Sequence, residues 1–164
     1  MTQVPGRFEK IENDFGLHIY VDYAHTDGAM RSLLETAREL KPSRIILVFG
    51  AGGDRDRAKR ERMGEAAGLS ADWAFLTSDN PRSEDPLAIL HEIEKGVIKT
   101  GSKKYSIVPD RYEAIEQALA FAKKGDYVLV AGKGHENYQV LKDRVIPFND
   151  GNVIREILKK MGSS

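Results

Sequence analysis

Three uninterrupted apolar runs constrain this chain most: Ile45-Ile46-Leu47-Val48-Phe49, Trp73-Ala74-Phe75-Leu76 and Tyr127-Val128-Leu129-Val130-Ala131. Each has the length of a strand, and none alternates apolar with polar. A strand that is apolar on both faces needs cover on both faces. The segments between the runs carry helical spacing. Met30, Leu33, Leu34, Ala37 and Leu40 share one helical face; so do Leu87, Leu90, Ile93 and Val97, and so do Ile115, Ala118, Leu119 and Ala122. Buried strands alternating with helices predict the α/β class, a doubly wound, mostly parallel sheet with helices on both sides.

Further elements complete the pattern. His18-Ile19-Tyr20-Val21 reads as the first strand, with Thr26 or Asp27 able to cap the helix that follows and Pro42 ending it. A short helix is expected around Arg57–Gly68, and a strand at Tyr105–Val108. Tyr138–Leu141 and Arg144–Pro147, split by Lys142-Asp143, read as a C-terminal β-hairpin. Val153, Ile154, Ile157 and Leu158 form a last helix. Residues 1–15, with Pro5, Gly6, Gly16 beyond them and several charges, read as an irregular lead-in or interdomain boundary, leaving 16–164 as one domain.

Composition narrows the partners. A chain of 164 residues suits one well-cored domain. Lys plus Arg and Asp plus Glu are equal at 25 each, which gives no support for nucleic acid or an anionic membrane as partner. Cysteine is absent, which removes disulfides, thiolate metal sites and cysteine nucleophiles. No run approaches the roughly 18 apolar residues of a membrane span, and no signal-peptide pattern opens the chain, so a cytoplasmic protein is expected. His18, His25, His91 and His135 have no metal-binding spacing, so no metal site is expected in this chain.

Ligands of open α/β sheets bind beyond the carboxyl ends of the strands. Polar clusters follow four of the strands: Asp22-Tyr23-Ala24-His25-Thr26, Gly52-Gly53-Asp54-Arg55-Asp56, Asp79-Asn80-Pro81-Arg82 and Gly132-Lys133-Gly134-His135-Glu136. Taken singly, each has a plain structural reading. Asp22 and Thr26 can cap a helix, Gly50–Gly53 can turn the chain, and the charges of 54–62 can form a solvated helix face. His135 can be a satisfied structural histidine, and Asp79-Asn80-Pro81 is a good turn sequence. No GxxxxGK[ST] phosphate loop is present, and no GxGxxG follows the first strand. Taken together, the clusters offer Arg55 and Arg82 for carboxylates, Glu136 for an ammonium, Asp79 and Asn80 to orient it, and Gly132 and Gly134 for close backbone approach. Paired cations beside an anion suit a small zwitterion such as an amino acid.

Five stretches occur in this order: VPGRFE, VDYAHT, VFGAGGDRDRAKRERMG, SDNPRSEDP and VLVAGKGHENYQ. Over nearly the whole chain, from about Pro5 to the final helix, they resemble the C-terminal domain of the Mur ligases, in particular the diaminopimelate-adding members of that family. The resemblance implies a role in peptidoglycan synthesis. ATP, with Mg, phosphorylates the D-glutamyl side-chain carboxylate of UDP-MurNAc-L-Ala-D-Glu. The amine of meso-diaminopimelate then attacks the acyl phosphate, and a tetrahedral intermediate expels phosphate. DNPR is the family's diaminopimelate motif, which transfers to Asp79, Asn80, Pro81 and Arg82; the carboxylate-binding arginine of GGDRD transfers to Arg55; and the amine-contacting residues of GKGHE transfer to Gly132 and Glu136. On the nucleotide side, Arg7, Asp22, Tyr23 and His25 become candidate ATP contacts. The chain departs from the family's usual HTPDAL at Asp27-Gly28, and from its usual FDDREVA at Asn149, Gly151 and Asn152.

The family's N-terminal UDP-sugar domain and central ATPase domain have no counterpart in these residues. The chain is therefore expected to be an excised domain, binding no cofactor alone and inactive alone, with UDP-MurNAc-dipeptide and ATP held by the other domains. Two alternatives stand beside this reading. One is the matching domain of a related ligase, of the folylpolyglutamate synthase or lysine-adding type. The other is a non-enzymatic binding module of the same fold.

Overall fold

The computed structural model describes residues 6–162. Residues 1–5, and with them Val4 and Pro5 of VPGRFE and the start of the expected lead-in, lie outside the described residues, as do 163–164. Chain order is β1 (Glu9–Ile11), β2 (His18–Asp22), α1 (Asp27–Glu39), β3 (Ile45–Phe49), α2 (Ala58–Ser70), β4 (Trp73–Leu76) and α3 (Pro86–Lys99). Then follow β5 (Tyr105–Ile107), α4 (Arg111–Phe121), β6 (Tyr127–Ala131), β7 (Tyr138–Val140), β8 (Val145–Pro147) and α5 (Asp150–Gly162).

Six strands form one sheet in the order β1-β2-β6-β3-β4-β5. All neighbours pair in parallel except β1, which runs antiparallel along β2. β7 and β8 form the separate hairpin, closed by Leu141 N donating to Arg144 O at 2.9 Å. The apolar runs behave as their composition demands. Ile45, Leu47 and Phe49 face α1–α3, while Ile46 and Val48 face α4 and α5. Tyr127, Leu129 and Ala131 divide from Val128 and Val130 in the same way. Each such side chain, fully buried, contributes about 1.5–3 kcal/mol relative to exposure.

Helix starts follow capping chemistry. Thr26 Oγ1 accepts from Ala29 N at 3.1 Å, Asp85 caps α3 with Pro86 in its first turn, and Asp110 accepts from Glu113 N at 2.9 Å. One reading of the sequence needs correcting. The segment taken as irregular lead-in contains β1, whose register Lys10↔Tyr20 fixes it to the sheet edge. Three residues are too few for a periodicity signal; the pairing comes from the exposed edge of β2. No described helix is long and apolar enough to cross a membrane.

Candidate functional site

β6 lies between β2 and β3, so the loops after β2, β6, β3 and β4 meet side by side at one rim. Two of them are joined tightly. Gly53 N donates to Asn80 O at 2.7 Å, and Arg82 Nη1 donates to Gly53 O at 2.9 Å. A Cβ on Gly53 would overlap the Pro81 carbonyl, so only glycine lets these backbones approach. Asp54 and Arg82, facing each other across this seam, both hold left-handed backbone, φ 54° and 53°. Ser83 Oγ donates to Asp54 Oδ1 at 2.6 Å, and Asp54 N donates to Glu84 Oε1 at 2.8 Å. Behind the seam, buried Arg60 donates to both Glu84 oxygens and to Gly52 O. Its guanidinium, with the Asp54 amide, holds the Glu84 carboxyl down at about 2. The hairpin is fastened to the same loop: Arg82 N donates to Val140 O at 3.0 Å, and Gln139 Nε2 to Asp79 O at 2.9 Å.

These loops enclose a cleft of about 220 Å³. It is smaller than the about 300–1,000 Å³ usual for drug-sized ligands, and it suits a small polar molecule. Asp79, Asn80, Arg82, Arg55, Gly132 and Glu136 all line it, together with Tyr23 and His25. Pro81 is buried and shapes the turn without lining the cleft. Asp22 and Arg7 also stand apart from it. Both Asp22 carboxylate oxygens are taken by main-chain donors, Phe8 N at 2.6 Å and Ala24 N at 2.9 Å. Arg7 lies over the Tyr23 ring, 5.8 Å from its centre, and His25 Nδ1 is 2.8 Å from Tyr23 O. Arg7, Tyr23 and His25 thus bring one cation and two rings together.

Charge is unevenly placed. Arg55, Lys59 and Arg82 line the cleft together with Asp79, which is buried, and Glu136, which is half-buried and reaches the fully buried Lys133. Asp79 is 8 % exposed, and no described group hydrogen-bonds its carboxylate. Burial pushes that carboxyl above its usual range, against the pull of Arg111 and Lys133, while Glu136 and Asp150 push the same way as burial. Glu136 also raises the Tyr23 phenol pKa, with help from desolvation.

Neutralising Asp79 should therefore stabilise the empty domain. With the folded-state pKa raised, the folded chain binds more protons than the unfolded one above the ordinary carboxyl value, and stability is lost as pH rises through that window. Asp79→Asn should melt higher than wild type at pH 7 and lose that pH dependence. A lower melting temperature would show that the buried cations need the Asp79 charge.

Sequence reasoning missed four participants. Lys59 was read within a solvated charged face. Lys133 was quoted inside its motif but given no role. Arg111 and Asp150 form a fully buried ion pair at 2.7 Å, and Arg111 also donates to Ser78 O and Ala131 O, the residues just before Asp79 and Gly132. Spacing gives no sign of a pair so far apart in the chain.

An open α/β sheet with a small charged cleft at its carboxyl rim defines a ligand-binding domain of the Rossmann-like class. The chain belongs to the Mur ligase family: the family described as "Mur ligase, glutamate ligase domain" matches residues 6–134. It is 52 % identical over 162 residues to the UDP-N-acetylmuramoyl-L-alanyl-D-glutamate–2,6-diaminopimelate ligase of Solibacter usitatus (strain Ellin6076), covering 99 % of this chain and 33 % of that protein. A solved structure of a UDP-N-acetylmuramoyl-L-alanyl-D-glutamate–2,6-diaminopimelate ligase superposes with TM-score 0.91 at 38 % identity, covering 100 % of this chain and 33 % of the other. The bifunctional folylpolyglutamate synthase/dihydrofolate synthase from Yersinia pestis, complexed with AMPPNP and Mn ion, shares the fold alone. Its TM-score is 0.61 at 16 % identity, over 98 % of this chain and 32 % of that one. The chain thus spans about a third of the length of the curated relative it matches.

Proposed function

We propose that this chain is the amino-acid-binding domain of an ATP-dependent amide ligase that adds meso-diaminopimelate to UDP-MurNAc-L-Ala-D-Glu in cytoplasmic peptidoglycan synthesis. Residues 16–164 form the body of the domain, and β1 in the segment before them completes the edge of its sheet. The observation that carries this reading is one small cleft lined by two acids, Asp79 and Glu136, and three cations, Arg55, Lys59 and Arg82. Diaminopimelate has two ammonium and two carboxylate groups, and such a cleft can pair with both kinds. Arg82, Arg55 and Asn80 supply donors to carboxylates; Glu136 and Asp79 accept from an ammonium; Gly132 lets the ligand approach the main chain. Bound in this way, the amine that is to react is held in one place and orientation while its acyl-phosphate partner arrives on the other domains. ATP and Mg supply the carboxylate activation in the whole ligase. Arg7, Tyr23 and His25 would form only one wall of a nucleotide site, with Asp22 pinning the loop behind them.

High identity to diaminopimelate ligases favours this over a folylpolyglutamate synthase, for which only the fold speaks. Calorimetric titration of the 164-residue chain tests it. Heat of binding is expected with meso-diaminopimelate and none with L-lysine at the same concentrations. Equal binding of the two, or binding of neither, would remove the reading.

A further inference from the structure

Lys133 is the one lysine among the buried charged groups of the described residues, with its side chain wholly covered. Its neighbours on both sides, Gly132 and Gly134, hold positive φ of 117° and 58°, and the Lys133 side chain between them is buried and does not line the cleft. There Nζ donates to Asn80 Oδ1 at 2.8 Å and to Glu136 Oε1 at 3.2 Å. Asn80 Oδ1 accepts a second bond, 2.9 Å from Val140 N in the hairpin. An ammonium and a main-chain amide can only donate, so the atom they share must be the carboxamide oxygen. The two donors fix which way the Asn80 amide faces. Its oxygen is held by the protein, and its NH2, with no described acceptor, is left for the cleft that Asn80 lines.

We propose that Lys133 is a positioning residue for ligand selection: by binding the Asn80 oxygen, it makes Asn80 a committed hydrogen-bond donor, suited to a carboxylate. A free carboxamide can turn over and offer either end, so it would accept a ligand amine as readily as it would donate to a carboxylate. A buried ammonium is costly unless its charge is matched. Here Asp79 and Glu136 stand beside it, and Lys133 in turn directs the Glu136 carboxylate. One side chain thus sets the polarity of two ligand-facing groups while touching no ligand itself. The proposal rests on the reading of the cleft as an amino-acid site. It adds to that reading the group that makes the site distinguish a second carboxylate from a bare ammonium end.

The test uses the 164-residue chain, with Lys133→Met, which keeps length and removes the donors, and Asn80→Asp, which keeps the acceptor for Lys133 and Val140 but replaces the NH2. In Lys133→Met the Asn80 side-chain amide resonances should move. Its preference for meso-diaminopimelate over L-lysine, measured by titration, should fall by about 10-fold or more. Asn80→Asp should fold as wild type and lose the preference too, because it turns a carboxylate toward a carboxylate. A folded Lys133→Met with an unmoved Asn80 amide and unchanged preference would overturn the proposal. If Lys133→Met does not fold, Asn80→Asp decides: wild-type preference in that variant would overturn the proposal. Should the wild-type chain fail to prefer diaminopimelate, the functional reading falls. The Asn80 amide resonances would still show whether Lys133 sets its direction.

Discussion

Arg111→Met should remove a third or more of the stability of this chain. The guanidinium is 1 % exposed and makes four hydrogen bonds, two to Asp150 and one each to Ser78 O and Ala131 O. Although burial works against its charge, Asp150 keeps the Arg111 pKa above the ordinary arginine value. Methionine would fill much of the volume but leave Asp150, itself 0 % exposed, as a buried unpaired acid. Breaking a buried pair from one side costs about 3–5 kcal/mol, against a total of about 5–15 kcal/mol for a domain. The two carbonyls would also lose a donor, at the ends of the strands that carry the ligand loops. Urea denaturation should show the midpoint falling by a third or more. A change under about 1 kcal/mol would mean that water enters and solvates Asp150, and that the pair is not a structural tie.

The same pair shows where sequence reasoning stops. The central strands were legible because their apolar runs have only one stable environment, a sheet covered on both faces. Four helices, α1, α3, α4 and α5, were legible because their apolar residues recur at helical spacing. α2 gave a fainter signal: its buried face is Arg60, Met63, Gly64, Ala66 and Ala67, which is small and charged where a stripe of Leu or Ile would be expected. The cleft was legible as four polar clusters at strand ends, which topology alone brings to one rim. What those clusters bond to was not legible. Arg111 pairs with Asp150 across 39 positions, and Lys133 reaches Asn80 across 53. Such partners depend on the order β2-β6-β3-β4, which no local pattern encodes. Asp22 illustrates the converse: a polar residue at a strand end whose oxygens serve the main chain.

In the whole ligase, the expected result is that kcat/KM for meso-diaminopimelate exceeds that for L-lysine by about 10⁴-fold, the discrimination that a site built to hydrogen-bond a polar group achieves against an analogue lacking it. Arg82→Ala should erase much of this difference by raising the diaminopimelate KM, with the ATP KM nearly unchanged. The physical reason is the division of labour within Arg82. Its Nη1 is committed to Gly53 O, which fixes the guanidinium at the seam between two loops; its other nitrogens donate to no described residue, and the side chain lines the cleft. Losing a charge-assisted bond to a carboxylate costs roughly 2–4 kcal/mol, or about 30- to 1,000-fold. Lysine loses nothing comparable, because it has no second carboxylate to lose a partner. Its kcat/KM should therefore change far less than that of diaminopimelate. Arg82→Lys separates charge from geometry: it keeps the cation but cannot bond Gly53 and grip a carboxylate together, so it should recover only part of the loss. If Arg82→Ala lowered kcat/KM for both amino acids alike and raised the ATP KM as well, Arg82 would be holding the loops together without reading the ligand, and the selectivity would have to reside in Arg55 and Asn80.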